Sequence, residues 1–281
     1  QEPPCSVPVQ VKPDKIVTSC TQFGDSLVPV SHYATHLDSH SSICEQRKTA
    51  KQRRNHARAR DPSRTDDVKT YGHVRCDWYD TGPKLKTFGN CRYSLHIKDQ
   101  HTGRRGFTQS KSKRTVAVVK SINMHNGTLQ LIQLAGDNAP EFKEASLELT
   151  GKPLNSSVPY RPTSNPIERD MELVGDAIRV SLQTCGLGPF YAHLAGRCWS
   201  QNMNITEKRP QLGNVTAHDF INVNRPFKGK PQAFGRNCTA VQPKQLTDAS
   251  DKPEPRGVDA IFLGWHEHSG YMDGSAYVCF L

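Results

Sequence analysis

The chain has 281 residues, 35% of them hydrophobic and 23% charged, and its formal net charge is +10 at pH 7. This composition provides enough apolar side chains for a folded core, yet no run approaches the roughly 18 apolar residues of a transmembrane helix. An integral membrane protein and a fully disordered chain are therefore excluded. The length allows one large domain or two smaller ones.

The first predicted element is a basic helix near residues 43–60, within an N-terminal segment that we assign to residues 1–70. Ser42 and Glu45 have the spacing of a capping box, which typically begins a helix. Residues 47–60 contain seven Lys or Arg and no acidic residue. Because this helix has few apolar side chains, it is either solvated, docked on acidic material or unstable alone.

Residues 71–281 are predicted to form a β-rich body, because their apolar residues mostly alternate with other residues. Val74, Cys76 and Trp78, for example, would share one face of a strand. We therefore expect a mainly β fold, an antiparallel β-sandwich-like body that is disulfide-bonded and carries one or two short helices.

Residues 104–114 form a second basic tract, with five Lys or Arg and no acidic residue. Outside the two tracts the chain has 25 basic and 27 acidic residues, so its body is close to neutral. Such focused charge favours a polyanion partner, although a solvated face and an intramolecular contact remain alternatives. The candidate polyanion-binding residues are Arg47, Lys48, Lys51, Arg53, Arg54, Arg58, Arg60, Arg104, Arg105, Lys111, Lys113 and Arg114.

The Asn126-Gly127 pair predicts a β-hairpin between strands at 115–123 and 128–134, because both residues accept the positive φ of a tight turn. Asn126 also begins a glycosylation sequon, and a hairpin tip would expose a glycan. Further strands are predicted at 145–150, 177–184, 190–194, 217–223, 258–265 and 275–280.

Residues 137–142, Asp-Asn-Ala-Pro-Glu-Phe, resemble the end of a cadherin repeat, where this motif follows a terminal strand and contributes calcium ligands. The match covers six residues, and the acidic motifs expected upstream and downstream are absent. A calcium site would therefore lack most of its oxygen ligands. We interpret the segment as a strand-exit turn and assign the chain to no family.

A Pro-rich stretch at 151–166 either divides the body into two β domains or crosses one domain as a long loop. Asn165, Pro166 and Glu168 then provide a cap, a first-turn proline and a capping-box acid, which predicts a helix near 166–175. The apolar pattern beyond this helix fits a strand or a longer helix, and we favour the strand.

His266 and His268 are candidate metal ligands, since alternate residues of a strand point to the same face. A third ligand would come from His193, His218 or Asp273. No GxSxG or HExxH motif accompanies them. The two histidines define an alternative function, a secreted metal-dependent or acid–base hydrolase that acts on an anionic polymer.

Nine cysteines without a CxxC pair are typical of a disulfide framework formed in an oxidising compartment. Proximity predicts the pairs Cys76–Cys91 and Cys185–Cys198, and we expect at least three disulfide bonds. Gln1 is interpreted as a mature N-terminus after signal-peptide removal. Five glycosylation sequons, which also indicate a secreted, extracellular protein, begin at Asn126, Asn155, Asn204, Asn214 and Asn237.

The leading prediction is a secreted glycoprotein that works by recognition, adhesion or extracellular assembly, and not as an enzyme. It rests on the focused charge, the sequons and the lack of catalytic motifs. We expect no cofactor, and an extracellular protein, an anionic glycan or a second copy of the chain as partner. Nucleic acid is disfavoured because it conflicts with a secretory compartment.

Overall fold

The structure is a computed structural model that describes residues 9–11, 16–17, 70–85, 87–156, 166–241, 257–268 and 270–280, with only the backbone at 9–11, 16–17 and 166. The predicted basic helix near 43–60 lies outside these residues, as do seven of the candidate polyanion-binding side chains.

The described residues form twelve strands and five α-helices. The strands are β1 Val9–Val11, β2 Ile16–Val17, β3 His73–Asp80, β4 Tyr93–Asp99, β5 Arg105–Ser110, β6 Gln133–Gly136, β7 Asn155–Ser156, β8 Lys208–Arg209, β9 Val215–Thr216, β10 Asn237–Val241, β11 Gly257–His268 and β12 Tyr271–Phe280. The helices are α1 Thr115–Asn126, α2 Pro140–Thr150, α3 Pro166–Cys185, α4 Ala192–Thr206 and α5 Ala217–Ile221. Short 3-10 turns occur at Phe88–Asn90, Pro189–Tyr191 and Pro210–Leu212.

The first sheet has the strand order β5-β4-β3-β6-β7 and mixes both strand directions. Strands β3, β4 and β5 are antiparallel neighbours, whereas β6 runs parallel to β3 and β7 parallel to β6. Parallel neighbours need a crossover, and here α1 and α2 provide helices for these connections. Their apolar sides bury one face of the sheet, where Val118 of α1 and Phe142 of α2 pack with Val74, Cys76 and Trp78 of β3.

The opposite face of the first sheet is covered by α3 and α4. Tyr79 of β3 and Phe107 of β5 meet there edge to face, with ring centroids 5.6 Å apart. Helix α4 also packs against the second sheet, an antiparallel sheet with the order β1-β12-β11-β10-β2. Gln201 of α4 joins the two layers, because its amide both donates to and accepts from the backbone of Trp265 at 2.8 and 2.9 Å.

The predicted mainly β, sandwich-like fold is wrong, because the molecule is a mixed α/β structure. Segments 115–123, 145–150 and 177–184, predicted as strands, lie inside α1, α2 and α3. Segments 190–194 and 217–223 are also mainly helical. The predicted strands at 258–265 and 275–280 are confirmed within β11 and β12.

The Asn126-Gly127 pair ends a helix and does not form a hairpin turn. Gly127 has φ 62°, and its N–H donates to the carbonyl of Asn123 in the last turn of α1. The end of this helix and a tight hairpin turn both need a residue with positive φ, so the pair is compatible with either. The helix predicted near 166–175 is confirmed, but it continues to Cys185 where we favoured a strand.

The disulfide prediction is also wrong for the cysteines that the structure describes. Both members of the pairs Cys76–Cys91 and Cys185–Cys198 are free thiols, and so is Cys238. Cys76 lies in the apolar layer under α1 and α2, where its thiol points to the carbonyl of Ala135 at 3.7 Å. Burial raises the pKa of this thiol well above its usual value. The main argument for a disulfide-bonded, secreted protein is therefore removed.

None of the helices in the described part of the chain is both long and apolar enough to cross a bilayer. The division of the body at 151–166 stays a prediction.

Candidate functional site

Three carboxylates from distant parts of the sequence lie together at the face of the first sheet that α3 covers. Asp77 lies in β3, and it points away from the α1 and α2 layer because its neighbours Cys76 and Trp78 point into that layer. Asp137 directly follows β6, and Glu168 lies in the first turn of α3.

The register of the parallel strands explains why Asp77 and Asp137 are neighbours. Arg75 of β3 pairs with Ala135 of β6, so two residues further along the same register Asp137 lies beside Asp77. Strands β3 and β6 approach closely at this point, since a Cβ on Gly136 would lie 3.1 Å from the carbonyl oxygen of Cys76. Adjacent strands are about 4.8 Å apart, which places the two carboxylates within strong electrostatic contact.

Asp137 is held by the turn between β6 and α2. Its carboxylate accepts a long hydrogen bond of 3.4 Å from the N–H of Ala139, and Pro140 then begins the helix. A proline is favoured at this position because its φ suits a helix and no N–H is needed there. The prediction of a strand-exit turn is confirmed, and the carboxyl end of a parallel strand is where open α/β sheets bind their ligands.

Burial and nearby like charge raise the proton affinity of all three carboxylates. Burial, followed by the nearby charges of Asp137 and Glu168, raises the pKa of Asp77 to about 6, against the opposing hydrogen bond from the N–H of Trp78 at 2.7 Å. Burial and the charge of Glu141 raise the pKa of Asp137. The pKa of Glu168 is raised by burial and by Glu172. The cluster therefore carries unbalanced negative charge at neutral pH.

Lys113, in the loop between β5 and α1, is the cation beside this cluster. Its charge lowers the pKa values of Asp77, Asp80 and Asp137, which shows that it lies near all three. The Lys113 ammonium also lies 5.1 Å from the ring centroid of Tyr93 in β4. Lys113 is exposed to solvent, and since Tyr93 packs on the α1 and α2 side of the sheet, the ammonium group lies at the edge of the cluster and not within it.

Carboxylates that repel one another can bind protons, cations or polarised hydrogen-bond donors. Within the described residues, no group of three or more His, Cys, Asp or Glu side chains meets in a geometry that would by itself hold a metal ion. Magnesium, however, is commonly held by one or two carboxylates together with waters and the phosphates of a substrate. The donor set of Asp77, Asp137 and Glu168 consists of the hard oxygen ligands that this ion prefers.

Two residues of the basic tract 104–114 are buried, which disfavours the part in polyanion binding that we predicted for them. Arg104 donates to Glu267 at 3.1 Å and to the carbonyl of Gly270 at 2.6 Å. Arg105 is enclosed by acidic partners in the same way, and its contacts are described below. The other members of the tract, Lys111, Lys113 and Arg114, are exposed.

The histidine pair does not form a metal site with the ligands that we predicted. His266 is half-buried, and its ring packs against Tyr277 at 5.5 Å between centroids. His268 is exposed at the end of β11. Of the predicted third ligands, His193 is buried between the hydroxyl of Ser94 and the carbonyl of Cys91, 2.6 Å from each.

The second predicted ligand, His218, is buried against the rings of Phe227 and Tyr271. The third, Asp273, lies at the surface of β12 and accepts the N–H of Ser275 at 2.8 Å.

Two of the five predicted glycan sites have buried asparagines, which disfavours a glycan there. Asn126 is 5% exposed and accepts a hydrogen bond from the hydroxyl of Tyr71 at 3.1 Å. Asn204 is 3% exposed, and its amide exchanges two hydrogen bonds of 2.7 Å with the backbone of Arg105. The other three sequon asparagines, Asn155, Asn214 and Asn237, are exposed.

Sequence reasoning missed the three carboxylates as a group. Asp137 was noticed only as part of a turn and Glu168 only as a helix-capping acid. The available signal was an acidic residue, Asp77, inside an apolar strand, together with a second acid at the end of another buried strand. Nothing in the sequence, however, indicated that these two strands are parallel neighbours.

The fold and this cluster define a mixed α/β protein with an acidic site at the carboxyl edge of a five-stranded sheet. No known family and no curated protein matches the chain. Among solved structures, the chain is similar to the catalytic core domain of BIV integrase, with 13% sequence identity and a TM-score of 0.40. The match covers 54% of this chain and 95% of that domain.

Proposed function

We propose that the protein is a metal-dependent enzyme that hydrolyses or transfers phosphodiester bonds of a nucleic acid. The observation that carries this proposal is the juxtaposition of Asp77, Asp137 and Glu168, three carboxylates with raised pKa values, beside an exposed lysine. Perturbed groups of this kind are typical of functional sites, because a protein gains no stability from placing like charges together.

The donor set fits a divalent cation better than it fits a direct anion site. An unscreened phosphodiester would be repelled by the same carboxylates that raise the pKa of Asp77, whereas a hard cation would be attracted to them. Such an ion, when bound, would polarise a phosphoryl oxygen and lower the pKa of a bound water. Asp77 and Asp137 would hold it, and Glu168 would complete or adjust the site from α3.

The remaining residues of the site favour a phosphate-containing polymer as the substrate. Lys113 is placed to contact a phosphate that approaches the carboxylates, and Lys111 and Arg114 lie exposed in the same loop. The net charge of +10 supports the binding of an extended polyanion. Nucleic acid was disfavoured because the cysteines and the sequons indicated a secretory compartment, and the free thiols and the two buried sequon asparagines weaken that objection.

The test is a cleavage assay with the full chain and end-labelled single- and double-stranded oligonucleotides, in magnesium, manganese or EDTA. We expect cleavage to require the divalent cation. The cleavage rate should fall more than about 100-fold in Asp77→Asn and in Asp137→Asn, which exceeds the usual loss when a residue that only supports a metal ligand is replaced. Glu148→Gln is the matched control, since it removes an exposed acid of α2.

Cleavage that survives in EDTA or in Asp77→Asn would contradict the proposal. Oligonucleotide or heparin binding without any cleavage would instead support the polyanion-binding function predicted from the charge distribution.

A further inference from the structure

Asp170 lies two residues after Glu168 in α3, and its carboxylate is enclosed by donors. Its side chain is 2% exposed. One oxygen accepts from His96 Nε2 at 2.7 Å and from Arg105 Nε at 3.2 Å, and the other accepts from Lys98 Nζ at 2.6 Å and from Arg105 Nη2 at 3.2 Å. Burial opposes ionisation, but the hydrogen bond from His96 and the charge of Arg105 outweigh it and hold the pKa of Asp170 well below its usual range.

The donors place this contact next to the candidate site. His96 and Lys98 belong to β4 and Arg105 to β5, so Asp170 joins α3 to the antiparallel part of the first sheet. His96 is the residue directly opposite Asp77 in the register of β3 and β4. Directly opposite residues have Cβ atoms about 4.5–5.5 Å apart, so the Asp170 contact lies one strand away from Asp77.

The geometry of α3 fixes the direction of Glu168 relative to that of Asp170. Successive residues of an α-helix are about 100° apart, so Glu168 and Asp170 lie on opposite flanks of the stripe that contains buried Ile167 and Val174. Gly175 is on the Glu168 flank, one heptad later. A Cβ there would lie 3.8 Å from the ring of Tyr79, so this flank faces β3.

A rotation of α3 about its axis would therefore move both carboxylates. The apolar contacts of Ile167 and Val174 fix which side of α3 is buried, but they select no particular polar partner because the hydrophobic effect is non-directional. Charge-assisted hydrogen bonds from three side chains are directional and fix the helix in one setting.

We infer that Asp170 is a positioning residue, whose contacts with His96, Lys98 and Arg105 set the rotation of α3 and hold Glu168 beside Asp77. The inference rests on the proposed function, in which Glu168 belongs to the metal site. Fixing one register among several is the best-supported use of buried ionic groups in proteins. Residues that orient metal ligands without touching the metal typically change affinity or activity about 10–100-fold when they are replaced.

The test measures manganese binding by titration calorimetry, and kcat and KM for oligonucleotide cleavage, in the full chain with Asp170→Asn. We expect the Kd for manganese to rise about 10–100-fold and kcat to fall with little change in KM. Lys98→Gln is the milder variant, because the Lys98 side chain is 26% exposed and Arg105 still neutralises Asp170. It should shift both quantities in the same direction by less, and it serves as the test if Asp170→Asn does not fold.

Glu267→Gln is the matched structural control. It breaks the ion pair between Arg104 and Glu267, whose side chains are 4% and 11% exposed and which belongs to the hairpin of β11 and β12. The manganese Kd of this variant should stay within about twofold of the wild type, even where its melting temperature falls.

The possible failures are distinguishable. If the wild type binds no manganese, or if Asp77→Asn binds it unchanged, the proposed function fails and the inference falls with it. If Asp77→Asn loses manganese while folded Asp170→Asn or Lys98→Gln binds it like the wild type, only the positioning role is wrong. An equal loss in Glu267→Gln would likewise overturn it, since any buried ion pair would then have the same effect.

Discussion

Two groups of acidic side chains lie on the same face of the first sheet, and their environments are opposite. Asp77, Asp137 and Glu168 are surrounded by like charge, which together with burial raises their pKa values. Asp170 and Glu207 are also buried, but their cationic partners outweigh the effect of burial and lower their pKa values. The second group is paired within the fold, whereas the like charges of the first oppose folding, and the proposed function assigns a cation from solution to them.

The largest effect is expected in the compensated group. Arg105 bridges Asp170 and Glu207 with a side chain that is 5% exposed. Arg105→Met would leave both carboxylates short of their main counter-charge, and removal of one partner from a buried ionic contact costs about 3–5 kcal/mol. Urea denaturation of the wild type and of Arg105→Met measures this loss in the free energy of unfolding. A loss below about 1 kcal/mol would mean that His96, Lys98 and Arg209 compensate without Arg105.

Replacement of Asp77 should increase stability in metal-free buffer, by less than the Arg105 variant loses. The pKa of Asp77 in the folded state is about 6, above its usual value of 3.8. The folded state therefore binds a proton more tightly than the unfolded state. The free energy of unfolding of the wild type falls as the pH rises from about 4 to 6, because this proton is lost. Asp77→Asn avoids this loss and keeps an oxygen for the N–H of Trp78. We expect it to be about 1–2 kcal/mol more stable at pH 7, after allowance for solvent screening.

Thermal unfolding in EDTA at pH 7 and at pH 4 tests this expectation. The difference between Asp77→Asn and the wild type should be present at pH 7 and should shrink towards pH 4. A destabilised Asp77→Asn at pH 7 would show that the carboxylate contributes to the fold, as Asp170 does.

Lys113 allows the site to be probed without removing a carboxylate. Lys113→Gln should weaken oligonucleotide binding about threefold to fivefold, roughly 1 kcal/mol. The slope of log K against log salt concentration should also become shallower by about one. Lys120→Gln, which removes an exposed lysine from the middle of α1, is the control. Binding isotherms at several salt concentrations measure both slopes. Equal slopes for the two variants would place the nucleic acid elsewhere.

The smallest effect is expected from an exposed pair on the same helix as Asp170. Arg179 donates to Asp176, and its side chain is 43% exposed. Exposed pairs of this kind contribute little, so Arg179→Gln should change the free energy of unfolding by less than about 0.5 kcal/mol. Urea denaturation, as for Arg105→Met, gives the value. A loss as large as that of the Arg105 variant would show that α3 depends on surface charge rather than on the buried contact.

The strands predicted from alternating apolar residues were correct where two consecutive strands pair with each other as a β-hairpin. Residues 258–265 and 275–280 belong to β11 and β12, which pair with each other across a short turn. The strands predicted at 115–123 and 145–150 were wrong because α1 and α2 pack on the sheet, and a buried helix face supplies apolar residues that also fit a short strand.

The sequence by itself determined the properties that depend on neighbouring residues or on totals: a folded, strongly basic chain, the turn after residue 136, and the helix start near Pro166. Only the tertiary structure decided the sheet order, the free thiols and the site. Asp77, Asp137 and Glu168 are far apart in the chain, and they meet because β6 inserts in parallel beside β3 and α3 packs on β3. The difference between Glu168 and Asp170 was equally invisible in the sequence, because their charge is the same and only their three-dimensional neighbours differ.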